Sequence, residues 1–207
     1  MGLEDLISHP KIWKARSGYQ QLEAIPTGFT ALDGALPGAG WPRKAITEIF
    51  VDRYGIGELG LLMPALASLE QRNMAWIAPP YLPYAPALAH FGLDLNRMLM
   101  VHPATETDVP WVIEEIVRSQ LQAIVLAWLR MASSRTLRRL QLIVEARQAW
   151  VVLFRPATML QQKSPAALKL RLAKHAEQLK IEIIKCRGGR PRVVYVAAHA
   201  ADREGAG

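Results

Sequence analysis

Five short apolar runs punctuate this chain, and four of them barely alternate. AITEIFV (45–51), MAWIA (74–78), RMLMVH (97–102), QAIVLAW (122–128) and AWVVLF (149–154) are nearly continuous in hydrophobic residues. A strand with one wet face shows a period of two, whereas a strand apolar at successive positions has to be covered on both faces. Helical spacing fills the gaps between the runs. Residues 58–72 place Leu59, Leu62, Met63, Leu66 and Leu69 on one face. PYLPYAPALAHFG carries prolines early and Gly92 after its end, as a helix with a glycine C-cap does. Asp108 is expected to cap a helix whose Val109, Val112, Ile113 and Ile116 share a face. Ser133 or Ser134 starts another, running to about Gln148, with Leu137, Leu140, Ile143 and Val144 inward. Strands alternating with such helices predict an α/β protein with a mostly parallel sheet and helices on both faces.

The rhythm changes after Phe154. ALKLRLAKH, LKIEIIKCR and RPRVVYVAA are strand-like runs with no long helix between them, and GGRP (188–191) is a hairpin turn signal. The expectation is a C-terminal antiparallel extension of the parallel core. Domain boundaries read as an N-terminal helix or arm at 1–24, an α/β domain at 25–198 and a flexible tail at 199–207. In the arm, Leu3, Leu6, Ile7, Ile12 and Trp13 form an apolar set suited either to association or to packing back on the domain.

At 207 residues, 51% hydrophobic and 21% charged, the chain suits one globular domain with a sizeable core. A single cysteine, Cys186, excludes a disulfide framework and fits a reducing compartment. The N-terminal stretch MGLEDLISHP carries acids where a signal peptide carries lysines, and no run approaches the roughly 18 apolar residues of a membrane span. A cytoplasmic location without membrane contact is expected. The five histidines are scattered, so no metal site is expected.

Charge is unevenly placed. Residues 1–127 hold 9 Lys/Arg and 13 Asp/Glu, whereas residues 128–192 hold 15 and 3. The whole positive character therefore belongs to the C-terminal third. It reads either as solvated faces or as a surface for nucleic acid or an acidic partner. Two clusters stand out: Arg130, Arg135, Arg138 and Arg139 around one helix start, and Arg187, Arg190 and Arg192 about the Gly188–Gly189 turn. Neither is interleaved with the aromatics of a single-strand stacking platform.

The stretch EIFVDRYGIGELGLL (48–62) runs from a strand through a glycine turn into a helix start, the setting of a phosphate-binding loop. Such a loop, GxxxxGK[ST], wraps phosphates with backbone N–H groups, neutralises them with its lysine and holds Mg²⁺ through its hydroxyl. In this chain the lysine position is taken by Gly57 or Glu58 and the hydroxyl position by Glu58 or Leu59, depending on the alignment. The Gly55, Ile56, Gly57, Glu58, Leu59 loop is thus degenerate, with a cation lost and an anion gained, and no nucleotide or other cofactor is expected.

IPTGFTALDGALPGAGWPRKAITEIF (25–50) resembles the segment leading into the phosphate loop of RecA-type recombinases, and MAWIAPPYLPYAPALAHFGLDLNRMLMVHP (74–103) resembles the following strand-helix-strand. ALKLRL (167–172) and KIEIIKCRGGRP resemble the strand after RecA's second DNA-binding loop and the hairpin beyond it. The resemblance implies a RecA-like, P-loop NTPase-type fold. It also implies lost acids: Ala127 stands where the Mg²⁺-binding aspartate belongs, and the APPY stretch, with Pro79 and Pro80, where the water-activating glutamate belongs. Both DNA-binding loops are short, ATMLQQKSPA being the second. PTGFTALDGALPGAGWP, GELGLLMPAL and WIAPPYLPYAPAL closely resemble the ImuA proteins, RecA-like accessory factors of bacterial translesion synthesis related to SulA-type division inhibitors. That resemblance implies a non-enzymatic adaptor of the SOS DNA-damage response, and as partners an ImuB-type inactive Y-family polymerase, an error-prone replicative-type polymerase, and RecA and DNA. The alternative it leaves open is a SulA-like inhibitor of cell division that binds FtsZ.

Overall fold

The computed structural model describes residues 23–69, 71–119 and 124–197. The N-terminal arm residues Leu3, Leu6, Ile7, Ile12 and Trp13, and the tail at 199–207, lie outside the described residues.

Ten strands and five α-helices are described. The strands are β1 (Ala24–Ile25), β2 (Trp41–Pro42), β3 (Ile46–Val51), β4 (Met74–Ile77), β5 (Met98–Val101), β6 (Ile124–Trp128), β7 (Trp150–Pro156), β8 (Leu168–His175), β9 (Gln178–Cys186) and β10 (Arg192–Ala197). The helices are α1 (Thr30–Asp33), α2 (Met63–Ala67), α3 (Ala85–His90), α4 (Val109–Ser119) and α5 (Ser134–Arg147). β1 and β2 form a small antiparallel pair. The other eight strands make one sheet in the order β10-β9-β8-β3-β7-β6-β4-β5. The six from β8 to β5 run parallel, and β9 and β10 extend the sheet antiparallel. This is an α/β, RecA-like architecture, with the rhythm change after Phe154 marking the start of the extension.

Both faces of the parallel sheet are covered, which is why its strands do not alternate. On one face Ile49, Trp76, Leu126 and Phe154 pack with Leu32 near α1, Met63 and Leu66 of α2 and Leu88 of α3. On the other, Ile46, Ile77, Val125 and Val151 pack with Ile113 of α4 and Leu137, Leu140 and Val144 of α5. The extension is different. Leu179, Ile181, Ile183, Val194 and Val196 join the first of these cores, while the α5 side of β9 and β10 is left bare by the described elements.

The helix ends follow local chemistry. Ser133 caps α5 by accepting the Thr136 N–H at 3.0 Å. Gly92, at φ +87°, closes α3, with Gly92 N–H donating to Ala89 C=O and Leu93 N–H to Leu88 C=O. That is a Schellman pattern, which needs a left-handed residue.

Two boundaries differ from the sequence reading. The helix expected over 58–72 contracts to Met63–Ala67, preceded by a string of turns. Pro64 has no N–H to donate to Gly60, so the regular ladder cannot run through this segment from its start. Asp108 does not cap α4. It lies in a 3₁₀ turn, Glu106–Asp108, that runs straight into the helix, and its carboxylate accepts the Thr105 hydroxyl at 2.8 Å. Among the described residues no helix is long and apolar enough to cross a membrane.

Candidate functional site

β3 ends at Val51, opposite Pro156 at the C-terminal end of β7, and the chain then turns through 52–62 into α2. Gly55 and Gly57 take φ of +84° and +108°, which glycine adopts without steric penalty. This bend aims successive backbone N–H groups at one point, the geometry of an anion nest. The point is filled from within. The Glu58 carboxylate accepts the Gly55 N–H at 2.9 and 3.1 Å and the Ile56 N–H at 3.0 Å, and Glu58 itself is buried. The loop's donors therefore already hold an anion that belongs to the chain.

Beside the loop lies a cleft of about 670 Å³ at the C-terminal edge of the sheet, between Tyr54, Ala78, Pro80, Tyr81, Glu106 and Arg130. In open α/β sheets this edge is where ligands sit. Its floor is apolar: Trp128 stacks on Phe154, with ring centroids 4.8 Å apart. Burial pushes the Tyr54 phenol above its ordinary range, against the opposing pull of Arg130. Arg130 bridges to Glu106 at 3.0 Å, both exposed. Pro80 is exposed on the rim, and Ala127 is buried within β6, one residue before Trp128. Ala78 holds φ +53° while donating its N–H to Val101 C=O, so a non-glycine residue carries the turn out of β4. In the same segment Trp76 is buried, whereas Tyr81, Leu82 and Tyr84 stand in solvent.

The two arginine clusters are divided by the fold. Arg139 is engaged by Glu114 of α4 at 2.8 Å, and Glu114 also holds Arg118. Arg187 leans on Glu145 of α5 at 3.4 Å. Arg135, Arg138, Arg190 and Arg192 are exposed. Arg135 and Arg138 lie on the first turns of α5, by the C-terminal edge, whereas Arg187, Arg190 and Arg192 lie at the opposite end of the sheet.

A buried polar group escapes the sequence reading. Glu48 on β3 is paired across the sheet with Lys169 on β8, and it accepts from Arg155 of β7 at 2.7 Å. Arg155 also donates to the Gln162 side chain at 2.7 Å, and Gln162 donates to Ala132 C=O at 2.7 Å. Lys169 donates to the carbonyls of Leu160 and Gln162 at 2.8 and 3.0 Å. Burial holds the Lys169 ammonium below the ordinary lysine value, with Glu48 opposing. The group pins the 157–167 connection, and through Ala132 the loop after β6, onto the sheet. Charged residues inside apolar runs, Glu48 in AITEIFV and Arg155 after VVLF, are the sequence signal for such a pair.

No family model matches the chain. RecA proteins do. That of Chlorobaculum parvum is 30% identical over 105 residues, which is 50% of this chain and 30% of that protein. The RecA of Thermotoga maritima is 30% identical over 102 residues (48% and 28%), and that of Acholeplasma laidlawii 32% over 103 residues (47% and 30%). The chain is RecA-like. It spans less than a third of the length of the curated relatives it matches.

Proposed function

We propose that this chain is a non-enzymatic, RecA-like accessory factor of the DNA-damage response, of the ImuA type. It acts as an adaptor in error-prone translesion synthesis, holding an ImuB-type inactive Y-family polymerase and an error-prone replicative-type polymerase together. The observation that carries this is the Glu58 carboxylate seated on the Gly55 and Ile56 amides. A terminal phosphate would have to displace a carboxylate already bonded to the loop, and the loop itself, Gly55–Leu59, carries no lysine to offset the loss. Exposed Tyr81 on the cleft rim, with exposed Leu82 and Tyr84 following it in the chain, offers apolar anchors for a protein instead.

The test is assembly without nucleotide. Mixed with an ImuB-type partner, the chain should co-elute on gel filtration in the absence of ATP, and calorimetry should detect no saturable ATP binding. Separate elution at micromolar concentration, or ATP turnover, would overturn the reading. A loss of FtsZ polymer mass in sedimentation would point instead to division inhibition.

A further inference from the structure

The β9–β10 extension, with the last residues of β8, has one face packed on the core and one face open among the described residues. The strand registers show what the open face presents. Tyr195 of β10 is paired with Lys180 of β9, which is paired with Ala173 of β8. One row along, Val193 is paired with Glu182 and Glu182 with Arg171. Lys185 belongs to the same face, opposite Lys169. Two rings meet here: His175 and Tyr195 lie 5.4 Å apart and are tilted by 56°. His175 and Tyr195 are both exposed.

The charge is as telling as the rings. Residues 160–197 hold nine Lys or Arg and two Asp or Glu, which equals the net +7 of the whole chain. The extension and the connection leading into it are therefore strongly basic. Part is internally balanced, since Lys180 bonds Glu182 at 2.6 Å and Arg171 reaches Asp52 at 3.3 Å. Lys185 donates to the Ser164 carbonyl, at 2.9 Å, and among the described residues no carboxylate pairs with it; exposed Lys163 is the neighbouring residue of that connection.

We infer that this open face is a platform for single-stranded nucleic acid, with Tyr195 and His175 stacking on bases and Lys185 and Lys163 following the phosphates. An uncovered antiparallel face that carries exposed rings among cations is what base stacking needs, because every base offers a π-face. A duplex hides those faces and would engage the cations alone. An acidic protein segment would use the cations and leave the ring pair without a role. This platform is independent of the polymerase-adaptor reading, and either can fail while the other stands.

The test is fluorescence anisotropy on the full chain with labelled oligo-dT and oligo-rU of about 20 nucleotides, beside a duplex of equal length and a polyglutamate competitor. Wild type should bind a single strand more tightly than the duplex. Tyr195→Ala should weaken single-strand binding by about tenfold, and Tyr195→Phe should restore it. Lys185→Glu should weaken it and flatten its salt dependence. Circular dichroism of each variant separates lost binding from lost fold. Preference between oligo-dT and oligo-rU reads the sugar and sustains the platform in either direction if Tyr195 is needed. Equal binding of duplex and single strand, indifference to Tyr195→Ala, or displacement by polyglutamate with no dependence on Tyr195 would overturn it.

Discussion

Arg155 on β7 meets Glu48 on β3 at 2.7 Å, and neither side chain is exposed to solvent. The two are 107 positions apart in the chain. Glu48 Oε2 and Arg155 Nε have no hydrogen-bond partner among the described residues, so this ionic pair is only partly satisfied. Desolvating two charges offsets much of their attraction, which makes such a pair a weak source of net stability and a costly one to break. Glu48→Gln should therefore destabilise the protein by about 3–5 kcal/mol, by leaving Arg155 uncompensated. The Glu48→Met, Arg155→Met double variant should lose less than either single variant. Urea unfolding midpoints decide it, and additive losses would show that the charges do not act as a pair.

Glu58, a buried carboxylate, and the loop amides form a charge-assisted contact. Glu58→Ala should cost about 1–2 kcal/mol, because two donors lose an anionic acceptor that water replaces only in part. It should also empty the nest. Millimolar inorganic phosphate is then expected to raise the melting temperature of the variant and leave that of wild type unchanged. An equal rise in both would mean that Glu58 does not occupy the anion position.

Gln148 ends α5 in the left-handed region at φ +57°, with its N–H bonded to Glu145 C=O. A side chain is disfavoured there, and glycine is not. Gln148→Gly should stabilise the fold by about 0.5 kcal/mol, the relief of strain exceeding the added entropy of the unfolded chain. Gln148→Val should do the reverse. A thermal melt of the two variants beside wild type checks both signs.

Cys186 lies at the end of β9, half-buried, and burial pushes its thiol above the ordinary value. The thiolate is the reactive form, so a raised value means less of it near neutral pH. Alkylation by iodoacetamide should be slower in the folded protein than in the same chain in urea, and should accelerate as the pH rises. Equal rates in the two states would place the thiol in an unperturbed setting.

Much of the fold is legible in the chain itself. Apolar runs without alternation announce strands covered on both faces, and 124–128 and 150–154 are such strands. The shift to LKIEIIK-type patterning announces the antiparallel extension, and the glycine and serine signals place the ends of α3 and α5. These are local properties, carried by periodicity and backbone preference over a few residues. The contraction of the helix at 58–72 is also written locally, in Pro64, against an apolar spacing that favours a longer helix.

Only the assembled sheet decides which charges meet. Arg139 reads as a free cation until α4 brings Glu114 to it. Glu48 reads as an exception inside an apolar run until β7 and β8 flank it with Arg155 and Lys169. Glu58 reads as a repelling charge beside a phosphate position, and the folded turn makes it the loop's own anion. His175 and Tyr195 become neighbours only through the register of three strands. A side chain's partner across a sheet depends on strand order and register. These come from burying apolar surface over the whole chain, which no short stretch of sequence records.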